Sequence, residues 1–454
     1  MKRIFCILLC LLLTLGLCPV RGEEAVYVAL GDSIADGYRL PGYTVPGSAP
    51  EKSFPVLLGK ALGLRLVPLA VSGMDTDGLL QALDTAAYQD AVAEARVVTL
   101  TIGSNDLLHP AIQQLSGLAE SLAQGDLRAM LNALGSVGDA LTSPEARAVY
   151  ARSTERFKEN WEAIIGRIRA LNPTADILVT NFYNPYSMLE YSLGPFSLHI
   201  GSVAQTYLDQ MNAWLSESPS AGEYRVAEIQ DVSTNVSFST RILTGLDLDP
   251  HPDEAGHTLI FRRLLPLARE AETARRYTDF PKEQWARDAV STVTALGLMQ
   301  GVGAGRFDPE GQLTLAQVLA LAARLHSRTH GTDGEFDESY GSHWYDVYRR
   351  YCIRQGLITS GAFRDLTQPA SRAQTALVLA HALDPKDLPS IRRQERIPDV
   401  APEDYAGPEI YLLYRAGVLN GTNDRGTFRP DAALRRVEAA AILARLAEPE
   451  LRQP

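Results

Sequence analysis

The sequence predicts an α/β domain, a parallel sheet flanked by helices, followed by an all-α module of three helical repeats. Two patterns carry that prediction. Up to about Arg275, short apolar runs alternate with helical stretches, as in strands joined by helical crossovers. Beyond Tyr277, an aromatic residue, a glycine and a helix start recur three times in register. The length of 454 residues allows about three domains, and 46% apolar with 21% charged residues argues for packed cores over disorder.

Residues 1–22 read as a secretory signal peptide. Lys2 and Arg3 precede the apolar run Ile4–Leu17, and Val20 and Gly22 stand before a cut at Gly22/Glu23. The run is short for a membrane span and no later stretch matches it, so the mature chain is expected to be soluble, with no transmembrane segment. Removing Lys2, Arg3 and Arg21, with no acidic residue among the 22, moves the formal charge from −11 to −14. That balance argues against a nucleic-acid partner. Cys6, Cys10 and Cys18 leave with the leader, and Leu17 is a poor residue to precede a lipidated Cys18. Cys352 is then alone, so neither an internal disulfide nor a cysteine metal site is expected. Export without disulfides fits a bacterial surface.

In the α/β half, strands are expected at 26–30, 64–71, 97–102, 177–180 and 224–229, with helices at 54–62, 150–171, 203–215 and 254–270. An amphipathic helical stretch, 111–152, offers a wall or lid over the strand ends. Parallel sheets collect ligands at the carboxyl ends of their strands. Three strands end there in Gly31-Asp32-Ser33, Ser72-Gly73 and Gly103-Ser104-Asn105-Asp106.

A serine hydroxyl becomes a useful nucleophile only with a base to take its proton and donors to hold the oxyanion. Ser33 ends the first strand. His251, in the late run DLDPHPDEAGH, is the candidate base, with Asp249 two residues back and Asp247 four back as candidate orienting acids. Gly73 offers a bare backbone N–H and Asn105 a side-chain amide as oxyanion donors. Asp32 and Asp106 suit loop-amide bonding better than chemistry, and His257 suits packing at a helix start.

These four blocks, in this order, resemble the SGNH hydrolases, also called GDSL-type esterases, over about residues 24–272. The resemblance implies a flavodoxin-like sheet. It makes Ser33 the nucleophile, His251 the general base and acid, and the Ser33 N–H, Gly73 and Asn105 the oxyanion hole. It needs no metal or organic cofactor. The family's last block is Asp-x-x-His, but position 248 is Leu, so Asp249 is preferred as the acid and Asp247 is the fallback.

In the repeats, Trp285, Trp344 and Tyr405 each stand 12 residues before Gly297, Gly356 and Gly417. Helix starts follow at LTLAQ (313), ASRAQ (370) and LRRVE (434). The triplet resembles the surface-layer homology (SLH) domain of bacterial envelope proteins. That implies non-covalent attachment to a secondary cell-wall polysaccharide, with Arg372 and Arg436 gripping a sugar carboxylate and Trp285 and Trp344 beside them. Leu315 fills the arginine position of the first repeat.

The expected organisation is a signal peptide at 1–22, a hydrolase domain at 23–276, and repeats at 277–330, 331–390 and 391–454. The expected function is a secreted, cell-surface serine esterase acting on an O-acylated carbohydrate or a lipid. One rival is a catalytically inactive wall-binding protein, favoured by the off-pattern acid spacing. The other is a metal-dependent carbohydrate deacetylase, disfavoured by the lack of a clustered His/Asp set.

Overall fold

The computed structural model describes residues 25–107, 109, 143–188, 190–193, 196–235, 237–238, 246–247, 249–331, 336–337, 339–393 and 396–453. The expected leader and most of the 111–152 stretch lie outside them. The chain divides into two compact units at Ala268/Arg269.

The first unit centres on five parallel strands. They are β1 (Val26–Gly31), β2 (Arg65–Pro68), β3 (Ala95–Thr101), β4 (Asp176–Thr180) and β7 (Arg225–Ala227). Their order is β2-β1-β3-β4-β7, all parallel, which counted within the sheet is the flavodoxin-like 2-1-3-4-5 arrangement. Every expected strand is present, within a few residues at each end. Helices α1 (Ser33–Asp36), α2 (Phe54–Leu62), α3 (Thr76–Ala82), α4 (Ala86–Glu94), α5 (Pro144–Leu171), α6 (Ile200–Glu217) and α7 (Glu254–Arg276) accompany the sheet. Two short antiparallel ribbons escaped the sequence reading: β5 (Glu190–Leu193) with β6 (Phe196–His199), and β8 (Ser237–Phe238) with β9 (Leu246–Asp247).

Alternation along β1 explains the layering. Val26, Val28 and Leu30 face Phe157, Trp161 and Ile164 of α5 and Met211 and Leu215 of α6. Tyr27 and Ala29 face Phe54 and Leu58 of α2 and Ile260 and Leu264 of α7. Strand order reverses between β1 and β3, so the crevice beyond their carboxyl ends is where side chains from separate loops converge. Gly31 ends β1 at φ 135°, and a Cβ there would lie 2.1 Å from the Thr101 carbonyl oxygen. Only glycine lets β1 and β3 stay this close while the chain turns into Ser33.

The second unit is helical: α8 (Gln284–Ala295), α9 (Leu315–Thr329), α10 (Asp346–Arg354), α11 (Arg372–Ala380), α12 (Gly407–Arg415) and α13 (Arg436–Ala447). Gly297, Gly356 and Gly417 follow α8, α10 and α12 at φ 68°, 76° and 70°, the left-handed residue that stops a helix. Three short segments before α9, α11 and α13 close a ring of backbone hydrogen bonds. Leu313 N–H donates to the Leu434 carbonyl, Leu434 N–H to Ala370, and Ala370 N–H to Leu313, at 3.3, 3.3 and 2.8 Å. Side-chain packing follows the same cycle, with α8 on α13, α9 on α10 and α11 on α12. The repeats thus cover one another's edges rather than stacking in a line.

Candidate active site

Ser33 is the first residue of α1, delivered by the turn after β1. The buried Asp32 side chain caps that helix by accepting from the Ile34 N–H at 3.0 Å. Burial pushes the Asp32 carboxyl up to about 7. The Ser33 hydroxyl lies 2.9 Å from His251 Nε2, and His251 Nδ1 meets the buried Asp249 carboxylate. Asp249, the preferred acid of the sequence, therefore meets the imidazole at Nδ1, while the side chain of the fallback Asp247 lies outside what the structure describes. The His251 loop is pinned from two sides: the Tyr183 hydroxyl donates to the Pro250 carbonyl at 2.7 Å, and the Asn235 N–H to the His251 carbonyl at 2.9 Å. The two-residue spacing, one shorter than Asp-x-x-His, still brings the acid to Nδ1.

Asn105 lines the cleft that holds Ser33 and His251, and Gly73 does not. Gly73 sits at φ 83° in the exposed turn after β2. The buried Asn105 donates one side-chain N–H to the Met74 carbonyl at 2.8 Å, which ties its loop to that of Gly73 and leaves the second N–H to turn elsewhere. Asp106 braces the same pair of loops by accepting from the Thr76 N–H and hydroxyl at 3.1 and 2.5 Å. Burial pushes Asp106 up to about 6, against those hydrogen bonds. Asp32 and Asp106 thus bond loop amides, as the sequence suggested.

Several supporting residues gave no local signal. Asp36 accepts from the Ser72 N–H and hydroxyl, the Tyr43 hydroxyl and the Gly47 N–H, which ties the Ser33 segment to the Ser72-Gly73 turn. Arg39 donates to Asp249 Oδ2 at 2.9 Å, and the Tyr38 ring lies 4.8 Å from that of His251. Burial pushes the Asp249 carboxyl up, but hydrogen bonds from His251 and Arg39 prevail and hold it below the usual carboxylate range. His257 is fully buried against Phe54, whose N–H it accepts at 3.3 Å, and desolvation lowers it to about 4. His109 lies 3.9 Å from Asp75 and does not line the cleft.

A largely apolar cleft opens at Ser33 and His251, walled by Tyr150 of α5, Tyr183 and Tyr186, and Val203, Tyr207 and Leu208 of α6. Such a site can run serine acyl transfer: a hydroxyl beside an imidazole, an ionised acid behind it, donors at one edge and an apolar wall for an acyl group. No cluster of three or more His, Cys, Asp or Glu suited to a metal occurs among the described residues.

In the helical unit, Trp285 and Arg372 line one groove with residues 418–422, Arg435, Glu438 and Arg445. Arg372 is buried, with Nε donating to the Phe428 carbonyl at 2.7 Å and Nη1 to Glu438 at 3.1 Å. Arg436 makes the equivalent Nε contact, to the Phe307 carbonyl at 2.8 Å, but its Nη2 donates to the Gln300 carbonyl at 2.7 Å rather than to a carboxylate. Arg436 and Trp344 do not line that groove. The first and third repeats share a clasp: Asp279 accepts from the Phe307 and Asp308 N–H groups, and Asp399 from those of Phe428 and Arg429.

Comparison with known proteins matches different families to the two parts of the chain. A sequence model of the S-layer homology domain matches residues 276–319 and 396–440, the two repeats that carry the clasp. A cell surface protein of Thermoanaerobacter kivui is 38% identical over 64 residues, which are 14% of this chain and 8% of that protein. The uncharacterized protein YpmR of Bacillus subtilis is 24% identical over 243 residues, 53% of this chain and 80% of its own. Among solved structures, a goat-rumen metagenome lipase, Lip_vut3, aligns at 21% identity and TM-score 0.36, over 53% of this chain and 95% of that one. Phospholipase A1 of Streptomyces albidoflavus aligns at 20% identity and TM-score 0.36, over 54% and 98%. The GDSL-like Lipase/Acylhydrolase family model matches residues 29–259, and the chain belongs to that family, with S-layer homology domains following its hydrolase fold.

Proposed function

We propose that this protein is an exported serine esterase, held at the bacterial cell wall by its S-layer homology repeats, that hydrolyses carboxylic esters through an acyl-enzyme on Ser33. The observation that carries the reading is the continuous chain from Ser33 Oγ through His251 to Asp249 at the mouth of an apolar cleft. His251 Nε2 takes the hydroxyl proton as Ser33 attacks the ester carbonyl, and returns it to the departing alcohol. The Ser33 and Gly73 N–H groups and the Asn105 amide receive the oxyanion. Water, deprotonated by the same imidazole, then releases the acid. Asp249 fixes the tautomer, with Nδ1–H toward its carboxylate, and stabilises the imidazolium that forms in each step.

The apolar wall suits the acyl side of an O-acylated carbohydrate or a lipid. At the other unit, the groove of Trp285, Arg372, Arg435 and Arg445 suits an anionic secondary cell-wall polysaccharide, with an aromatic face and a surplus of positive charge over Glu438. Arg436 contributes to that module by holding it together, since its donors are directed at carbonyls.

A series of acyl esters from acetyl to long chain, hydrolysed by the full chain and by Ser33→Ala, tests the chemistry. Hydrolysis abolished by the substitution is expected; turnover indifferent to Ser33 and lost to chelators would revive the metal deacetylase instead.

A further inference from the structure

We infer that Arg39 is a positioning residue of the active site: it clamps Asp249 in its ionised, His251-facing orientation, and so allows a two-residue Asp-x-His spacing to work. The inference rests on the esterase reading and adds a fourth member to its Ser–His–Asp chain.

Three observations converge on it. First, the Arg39 guanidinium donates to Asp249 Oδ2 at 2.9 Å while Oδ1 of the same carboxylate meets His251, so the two partners hold opposite oxygens. A carboxylate gripped at both oxygens cannot rotate away from the imidazole. Second, Arg39 has φ 67°, a left-handed conformation that is unfavourable for a residue other than glycine. The surrounding turn imposes it. Tyr38 N–H donates to the Ser33 carbonyl at 3.0 Å, Leu40 N–H to Gly37 at 3.1 Å, and the Leu40 side chain is buried. The strained backbone aims the side chain at Asp249. Third, the segment that carries the nucleophile also surrounds its partners. Ser33 meets His251 Nε2, Tyr38 lies against the imidazole, and Arg39 reaches the acid behind it.

The geometry also accounts for the spacing. With one residue fewer between acid and base, the backbone of 249–251 is the shorter tether, and the orientation of the Asp249 carboxylate depends on the partner of its second oxygen. A planar, always-charged guanidinium supplies that orientation from a segment 210 residues away in sequence. The Arg39 side chain is half-exposed whereas that of Asp249 is 5% exposed, so the pair matters for the placement of a buried charge more than for stability.

Other titratable groups face this pair among the described residues. Tyr183 and Tyr186, both kept protonated by burial, feel the Asp249 charge, and Asp32 lies beyond Tyr183. His257, held neutral, faces His251 from α7. Among the described residues, Arg39 and His251 both pair with Asp249. Removal of Arg39 makes proton uptake by the Asp249 carboxyl easier, so activity should fail at higher pH than in the parent.

The test compares the parent, Arg39→Met and Arg39→Lys for Ser33-dependent ester hydrolysis and for the rate of labelling by a fluorophosphonate, across pH. Expected for Arg39→Met is a kcat lower by about ten- to a hundred-fold, short of the ~10⁴-fold that follows loss of a triad acid. KM stays within about two-fold, and the acid limb of both profiles moves to higher pH. Arg39→Lys restores most of the loss. An unchanged acid limb, a loss confined to KM, or no rescue by lysine would overturn the inference while the esterase reading stands. A parent chain that neither labels nor hydrolyses would overturn both.

Discussion

Arg436→Met separates a structural arginine from a ligand-binding one. The side chain is 5% exposed, its Nε and Nη2 donate to the Phe307 and Gln300 carbonyls, and its guanidinium carbon lies 5.0 Å from the Phe307 ring centroid. Methionine keeps most of the aliphatic stem but removes both donors. Hydrogen bonds involving a charged group contribute about 1.5–3 kcal/mol each, and their loss here strands two carbonyls. A cost of about 3–5 kcal/mol follows. In a unit of this size 1 kcal/mol moves Tm by about 2–4 °C, so the helical unit should melt on the order of 10 °C lower. Calorimetry of the full chain reads this directly, since the hydrolase transition should be unmoved. Wall binding below the lowered Tm should survive. A Tm within about 2 °C of the parent together with lost wall binding would refute the reasoning and make Arg436 a ligand contact.

Other outcomes follow from the same geometry. Trp285→Ala, at a 47% exposed position in the groove, should weaken binding to purified cell walls while leaving Tm within about 2 °C; undiminished binding would exclude the groove. Asn105→Ala should lower kcat by about 10²–10³-fold with little change in KM, as measured for loss of one oxyanion donor; a KM effect alone would make Asn105 a substrate-binding residue. His257, lowered from 6.5 to about 4 in the folded chain, binds fewer protons folded than unfolded between those values. Its contribution is present above pH 6.5 and lost as pH falls toward 4, an acid loss of about 3 kcal/mol. The stability difference between the parent and His257→Gln should therefore shrink over that window, and a constant difference in pH-dependent denaturation would contradict it.

The strands were legible because apolar runs bounded by Gly, Ser and Asn need no distant information; Val26–Gly31 and Ala95–Thr101 are buried nearly end to end. Helix α2 was legible from Phe54 to Leu62 for the same reason, with Gly63 at φ 64° stopping it. Ser33, His251 and Asp249 were legible from their order and from the chemistry that a nucleophile requires. The residues that brace them were not. Asp36 and Arg39 act on Ser72 and Asp249, 36 and 210 residues away, and nothing in their own neighbourhood marks them; Asp106, beside Asn105, was the exception. Arg372 and Arg436 show the converse. A charge at a helix start reads as solvated or ligand-facing, but closure of the repeats into a ring directs Arg372 at the Phe428 carbonyl and the Glu438 carboxylate, and Arg436 at two carbonyls of the first repeat. The periodicity revealed the repeats, and only their cyclic packing revealed what the arginines touch.

The central claim is that Ser33 is an activated nucleophile. A fluorophosphonate probe, applied to the full chain and followed by peptide mass analysis, tests it most directly. Stoichiometric labelling is expected on the peptide containing Ser33, lost in Ser33→Ala and strongly slowed in His251→Ala. Absence of labelling in the folded parent, or labelling that persists in Ser33→Ala, would contradict it.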